Sequence, residues 1–97
     1  MILFITDEAK VDIENILTYT LKNWGERQAT KYSNTIKSTM FSIADNPFLL
    51  LSKERVIKRT TFRTFPFEKH IVFYKIETER VVIVRILHQS MEAKRHL

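Results

Sequence analysis

Five side chains in the second half of this sequence could do chemistry together: Arg63, His70, Tyr74, Arg85 and His88. Guanidinium groups bind phosphate and stabilise a crowded phosphorus centre, while imidazole and phenol groups move protons. Gathered near one sheet, such a set would suit metal-free cleavage of RNA. The plainer reading gives them separate roles, with Arg63 and Arg85 bonded to carboxylates or backbone and His70 and Tyr74 half-buried for packing. A second group follows in ILHQSMEAKRHL, residues 86–97, where His88, Met91, Lys94, Arg95, His96 and Leu97 mix cationic, titratable and apolar side chains. Other chemistries lack their residues. There is no Cys, so there is no thiolate nucleophile, disulfide or Cys-based metal site, and a single Gly excludes a Gly-rich phosphate loop. The histidines show no HExxH or close ligand spacing, so neither a metal nor a cofactor is expected. Asp7, Glu8, Asp12 and Glu14 read as helix-dipole partners and surface charge rather than as an acid–base pair.

The elements that must position these groups follow from periodicity. Residues 2–5, ILFI, read as a short strand. Thr6 suits a helix N-cap, with Asp7 and Glu8 at the positive end of the dipole. Ala9, Ile13, Ile16, Leu17, Thr20 and Trp24 then mark one helical face, and Gly25 stands where that helix ends. A second helix, from about Glu26, shows Ala29, Tyr32, Ile36, Met40, Ile43 and Ala44 on one face and stops at Asn46-Pro47. Residues 48–55 read as a loop with an apolar anchor. Val56–Phe65 reads as a strand interrupted by Pro66, and Phe67–Ile76 alternates. Glu77-Thr78-Glu79 suits a hairpin turn, and Arg80–His88, apolar on both faces, reads as a central strand. Arg85 breaks one of those apolar faces and needs an explanation. On a regular strand Arg85 and His88 point to opposite faces, so alternation does not support one sheet-face site using both.

The predicted order β, α, α, β, β, β describes one α+β domain over residues 1–97, a helical hairpin packed on a small antiparallel sheet. At 97 residues the chain buries a modest core, and 44% hydrophobic composition is ample for folding. Residues 1–5 are too short for a signal peptide or membrane span, and the missing Cys fits a reducing cytoplasm. The net charge of +5 is uneven: residues 1–50 hold five basic and six acidic side chains, residues 51–97 eleven and five. The electropositive half suits an acidic protein or a nucleic-acid complex. A mostly disordered acidic segment could add a helix in the groove of the helical hairpin and a strand at an open sheet edge. Arg55, Lys58, Arg59 and Arg63 are the candidate contacts.

Several pieces, in order, resemble the ParE toxins of the RelE/ParE toxin–antitoxin superfamily over nearly the whole chain. They are A..DI..I..Y (Ala9, Asp12, Ile13, Ile16, Tyr19), WGERQA..Y (Trp24, Gly25, Gln28, Ala29, Tyr32), IADNP (Ile43–Pro47), FRTFPFEKHIVFYK (Phe62–Lys75) and VRILHQSMEAKRHL (Val84–Leu97). The last, with His88, Met91, His96 and Leu97, is most similar to the ParE branch. The resemblance implies a bacterial toxin that inhibits DNA gyrase without catalytic chemistry of its own. It also implies a ParD-like antitoxin whose C-terminal segment wraps the toxin and which alone carries the complex to operator DNA. No membrane partner is implied. The resemblance further implies that His88, Met91 and Lys94–Leu97 matter for toxicity. The RelE branch instead cleaves messenger RNA on the ribosome, and Arg63, Arg85 and His88 fall where that branch keeps its phosphate-handling and C-terminal residues. Here Gln89 follows His88 and no Tyr stands after Glu92, which weighs against the nuclease.

Overall fold

The computed structural model describes residues 1–97. Strand β1 (Ile2–Ile5) leads into helix α1 (Asp7–Trp24) and helix α2 (Glu26–Asp45). Strands β2 (Lys53–Ile57), β3 (Thr60–Phe67), β4 (His70–Glu77) and β5 (Arg80–His88) follow, and a single 3₁₀ turn spans Ala93–Arg95. The sheet order is β1-β5-β4-β3-β2. β2 through β5 form an antiparallel meander, but β1 joins β5 in parallel, Ile2 opposite Arg80 and Ile5 opposite Ile83. The sheet is therefore mixed rather than purely antiparallel. A parallel neighbour needs a crossover connection, and the helical hairpin supplies it.

Local chemistry fixes the joints. Thr6 Oγ1 accepts the Ala9 N–H at 3.1 Å and caps α1. Gly25 has φ +89° and ψ 175°, a region open almost only to glycine, and so turns α1 into α2 without a loop. The helices cover one face of the sheet. Ala9, Ile36, Met40 and Ile43 pack there against Phe67, Val72, Tyr74, Val81, Ile83 and Ile86. Trp24, expected on the buried face of α1, is 71% exposed; it is the last residue of the helix, directly before the Gly25 turn.

Three strand assignments change. The supposed loop 48–55 contains the first three residues of β2. The supposed single strand Val56–Phe65 is split by a two-residue turn at Lys58-Arg59, both with positive φ and neither a glycine. Pro66 lies inside β3 without breaking it. Pairing with β2 ends at Thr64, so the N–H that Pro66 lacks has no neighbour to serve.

The outer face of the sheet has its own smaller core: Ile57, Phe62, Phe73 and Leu87, with Ala93 and Leu97 of the C-terminal segment folded over it. Phe62 and Phe73 meet edge to face, and Lys75 and Arg55 lay their cationic ends over those rings.

Candidate functional site

Arg63 and Tyr74 stand directly opposite each other on β3 and β4. The Tyr74 ring is fully buried, and its hydroxyl donates to the Pro47 carbonyl at 2.5 Å while meeting Ser52 Oγ at 2.5 Å. Arg63 Nε donates to the same Ser52 Oγ at 2.8 Å and Nη2 to the Ser52 carbonyl at 3.2 Å. Its guanidinium lies 4.9 Å from the centre of the Phe48 ring, with Glu54 at 3.8 Å. The pair thus fastens the α2–β2 connection to the sheet. Ser52 at the centre of this network carries no sequence signal beyond being polar beside an apolar run.

Arg85 has a comparable occupation. The β4–β5 register slips by one residue, Phe73 facing Arg85 and Tyr74 facing Ile83, so Val84 is an extra residue in β5. Such a bulge resets alternation and swings the next side chain. Arg85 Nε and Nη2 each donate to Asp12 of α1 at 2.8 Å, and Nη1 donates to the His96 carbonyl at 2.8 Å. The Asp12 carboxylate also accepts the Ile86 N–H at 2.9 Å. The hydrogen bond to Asp12, followed by the Asp12 and Glu8 charges, holds the guanidinium above its already high ordinary pKa, with burial opposing. Asp12, expected as surface charge, is instead the anion that lets a cation sit in an apolar strand.

The histidines meet elsewhere. His70 and His88 are cross-strand neighbours with ring centres 5.3 Å apart. His70 stacks on Phe67, and its Nδ1 lies 2.7 Å from the Tyr32 hydroxyl of α2. Burial, then the Glu68 charge, raises the Tyr32 phenol, which stays protonated beside the imidazole. His88 Nδ1 accepts the Ser90 N–H at 3.1 Å, with Ser90 Oγ at 2.7 Å. Burial, then the neighbouring His88, lowers the His70 pKa. The folded chain therefore binds its proton later than the unfolded chain as pH falls. His70's contribution to stability is complete above the ordinary value of about 6.5 and declines through and below it. Urea midpoints between pH 7.5 and 5.5 should fall in the wild type and fall less in His70→Gln.

The five chemically capable residues thus divide between separate sites. Arg63 and Tyr74 serve one connection, Arg85 serves Asp12 and the C-terminal segment, and His70 and His88 form a cluster with Tyr32. No group of three or more His, Asp or Glu side chains could hold a metal. No helix is long and apolar enough to cross a membrane.

The segment after β5 is folded, not frayed. Gln89 N–H bonds the Lys69 carbonyl, Met91 N–H that of His88, and Leu97 N–H that of Ala93. Ala93 is buried and Leu97 packs on the outer core, while Met91, Lys94, Arg95 and His96 remain exposed. Glu92 takes Arg95 at 3.0 Å and Lys94 at 3.2 Å, surface pairs of little energetic weight. Of the candidate antitoxin contacts, Arg55, Lys58 and Arg59 are exposed on the β2–β3 hairpin at the sheet edge, whereas Arg63 is bound as described. A shallow groove runs between the helices, lined by Leu17, Leu21, Ala29, Ser33 and Asn34 among others.

Residues 3–93 match the family of ParE toxins of type II toxin–antitoxin systems (parDE). Toxin ParE1 of Caulobacter vibrioides is 37% identical over 93 residues, covering 96% of this chain and 94% of that protein. Toxin ParE1 of Mycobacterium tuberculosis is 28% identical over 94 residues with the same coverage. Among solved structures, a chain of the chromosomal ParDE TA system from P. aeruginosa superposes with a TM-score of 0.78 at 18% identity. The match covers 91% of this chain and 95% of that one, a likeness of fold. With its helical hairpin, five-stranded mixed sheet and family match along nearly its whole length, this chain belongs to the ParE toxin family of type II toxin–antitoxin systems.

Proposed function

We propose that this toxin inhibits DNA gyrase in the cytoplasm through its C-terminal segment. A cognate ParD-like antitoxin restrains it and alone brings the complex to operator DNA. The observation that carries this reading is the state of that segment. Ala93 and Leu97 anchor it while Met91, Lys94, Arg95 and His96 face outward. An ordered set of exposed cations loses less conformational freedom on docking than a mobile tail would. His88 stands at its root, opposite His70.

The nuclease reading has less support. Arg63 and Arg85, its phosphate-handling candidates, are each held by hydrogen bonds within the fold, to Ser52 and to Asp12 and His96 respectively. For the antitoxin, the open edge of β2 offers unpaired backbone groups, and Arg55, Lys58 and Arg59 beside it offer positive charge. A strand carrying acidic side chains meets both, and the interhelical groove can receive a helix from the same partner.

The test is a supercoiling assay with purified gyrase and relaxed plasmid, run beside a translation reaction. Loss of supercoiling with trapped, cleaved DNA and intact messenger RNA is the expected result. Unaffected gyrase with cut messenger RNA would overturn the proposal and return attention to Arg63, Arg85 and His88.

A further inference from the structure

The edge of β5 is finished in an unusual way beyond Ile83, where its pairing with β1 ends. Side chains replace the missing strand. Thr6 Oγ1 donates to the Val84 carbonyl at 2.8 Å, and the Asp12 carboxylate accepts the Ile86 N–H at 2.9 Å. Between these two contacts lies Arg85. Two of its nitrogens are fixed on the two oxygens of Asp12, at 2.8 Å each, and the third reaches the His96 carbonyl at 2.8 Å. A guanidinium is planar and rigid, so a carboxylate that grips two nitrogens also sets the direction of the third.

The Gln89 N–H bond to the Lys69 carbonyl orients only the root of the C-terminal segment, and the forces on its far end lack that directionality. Ala93 and Leu97 rest on Ile57, Phe62, Phe73 and Leu87, and apolar contact holds the segment down without fixing its orientation. The Lys94 and Arg95 pairs with Glu92 are internal to the segment and cannot orient it against the sheet.

We propose that Asp12 and Arg85 are positioning residues for the C-terminal segment. The carboxylate on α1 aims the guanidinium, and the guanidinium fixes the His96 carbonyl and with it the presentation of Lys94, Arg95 and His96. The functional half of this proposal rests on the reading of that segment as the gyrase-contacting element. Its structural half does not. It explains why an arginine interrupts the most apolar strand and why its counter-charge comes from an element far away in sequence.

Arg85→Lys keeps a cation beside Asp12 but cannot hold Asp12 and His96 in one rigid plane. Asp12→Asn keeps an acceptor for Ile86 but loses the charge that grips the fork. Amide exchange at Arg95, His96 and Leu97, whose N–H groups bond Glu92 and Ala93, reads the segment directly. Each variant should speed that exchange about five- to tenfold, the scale of one charge-assisted hydrogen bond partly exposed to water. Amides in the middle of α2 should be unchanged, as should antitoxin affinity, and the concentration for half-inhibition of gyrase should rise by a similar factor. Exchange at residues 95–97 that matches the wild type in both variants would overturn the positioning role. Faster exchange with undiminished gyrase inhibition would leave positioning intact and overturn the segment as the toxic element. If Arg85→Lys does not fold alone, the same exchange is read in its antitoxin complex, with Asp12→Asn as the free-state measurement.

Discussion

Removing Lys94–Leu97 is expected to raise the toxin concentration needed to block gyrase by about a hundredfold or more, while antitoxin binding stays within about threefold. The first figure follows from losing three exposed titratable or cationic side chains at once from a small contact, where central residues commonly contribute about 1–2 kcal/mol each. The second follows from where the antitoxin contacts lie. The groove between the helices is on the opposite side of the sheet, and although Leu97 shares a core with Ile57 of β2, the backbone edge of β2 and Arg55, Lys58 and Arg59 all remain after the truncation. The truncated protein should still fold. Loss of Leu97 uncovers part of the outer core and costs about 1–2 kcal/mol, against a typical total of about 5–15 kcal/mol. Arg85 keeps both bonds to Asp12 after the His96 carbonyl is gone. Supercoiling titration, thermal melting and antitoxin titration on one preparation check the three statements together. Full inhibition by the truncated toxin would move the gyrase-binding surface elsewhere.

The elements that could be read from sequence were those with local signals. Thr6, Gly25 and Asn46-Pro47 bound the two helices because caps and breakers act within a few residues. Arg80–His88 was recognisable as an internal strand because it must be apolar on both faces. The β2–β3 hairpin was hidden. Its turn is built from Lys58 and Arg59, which adopt positive φ without the glycine or asparagine that advertises such a turn. The parallel pairing of β1 was hidden as well, since four residues carry no mark of strand direction. The resemblance to ParE toxins reached the family that the comparisons show.

The site divided along the same line. Residue types announced Arg63, His70, Tyr74, Arg85 and His88, but their partners, Ser52, Tyr32 and Asp12, lie between 11 and 73 positions away in sequence. A chemically plausible list therefore resolved into three structural connections. Arg85 stood apart, because a charge inside so apolar a strand asked for an explanation, with phosphate binding and a bond to a carboxylate or backbone both open. What sequence could not supply was which carboxylate answered it, since the bulge at Val84 that turns Arg85 toward α1 is a property of register.

Tyr74→Phe gives the largest stability effect expected from removal of a single atom, about 2–3 kcal/mol. The hydroxyl is fully buried and joins Ser52 Oγ to the Pro47 carbonyl. Phenylalanine fills the same space, so no cavity term enters. The cost is the lost hydrogen bonds together with the Pro47 carbonyl, left without its strong donor in a dry setting. Ser52 Oγ can rotate toward Pro47, from which it already lies 3.4 Å away, and this recovery keeps the loss from being larger. Arg63 would retain its bonds to Ser52, so the connection at residues 46–52 should loosen without detaching. Two measurements distinguish this account from a catalytic role for Tyr74. Urea midpoints should fall by the amount given. Gyrase inhibition, corrected for folded fraction, should not change, because Tyr74 faces the helices and the proposed contact segment lies across the opposite face of the sheet. A stable Tyr74→Phe protein with lost activity would place the phenol in the toxic machinery and revive the nuclease reading built on Arg63.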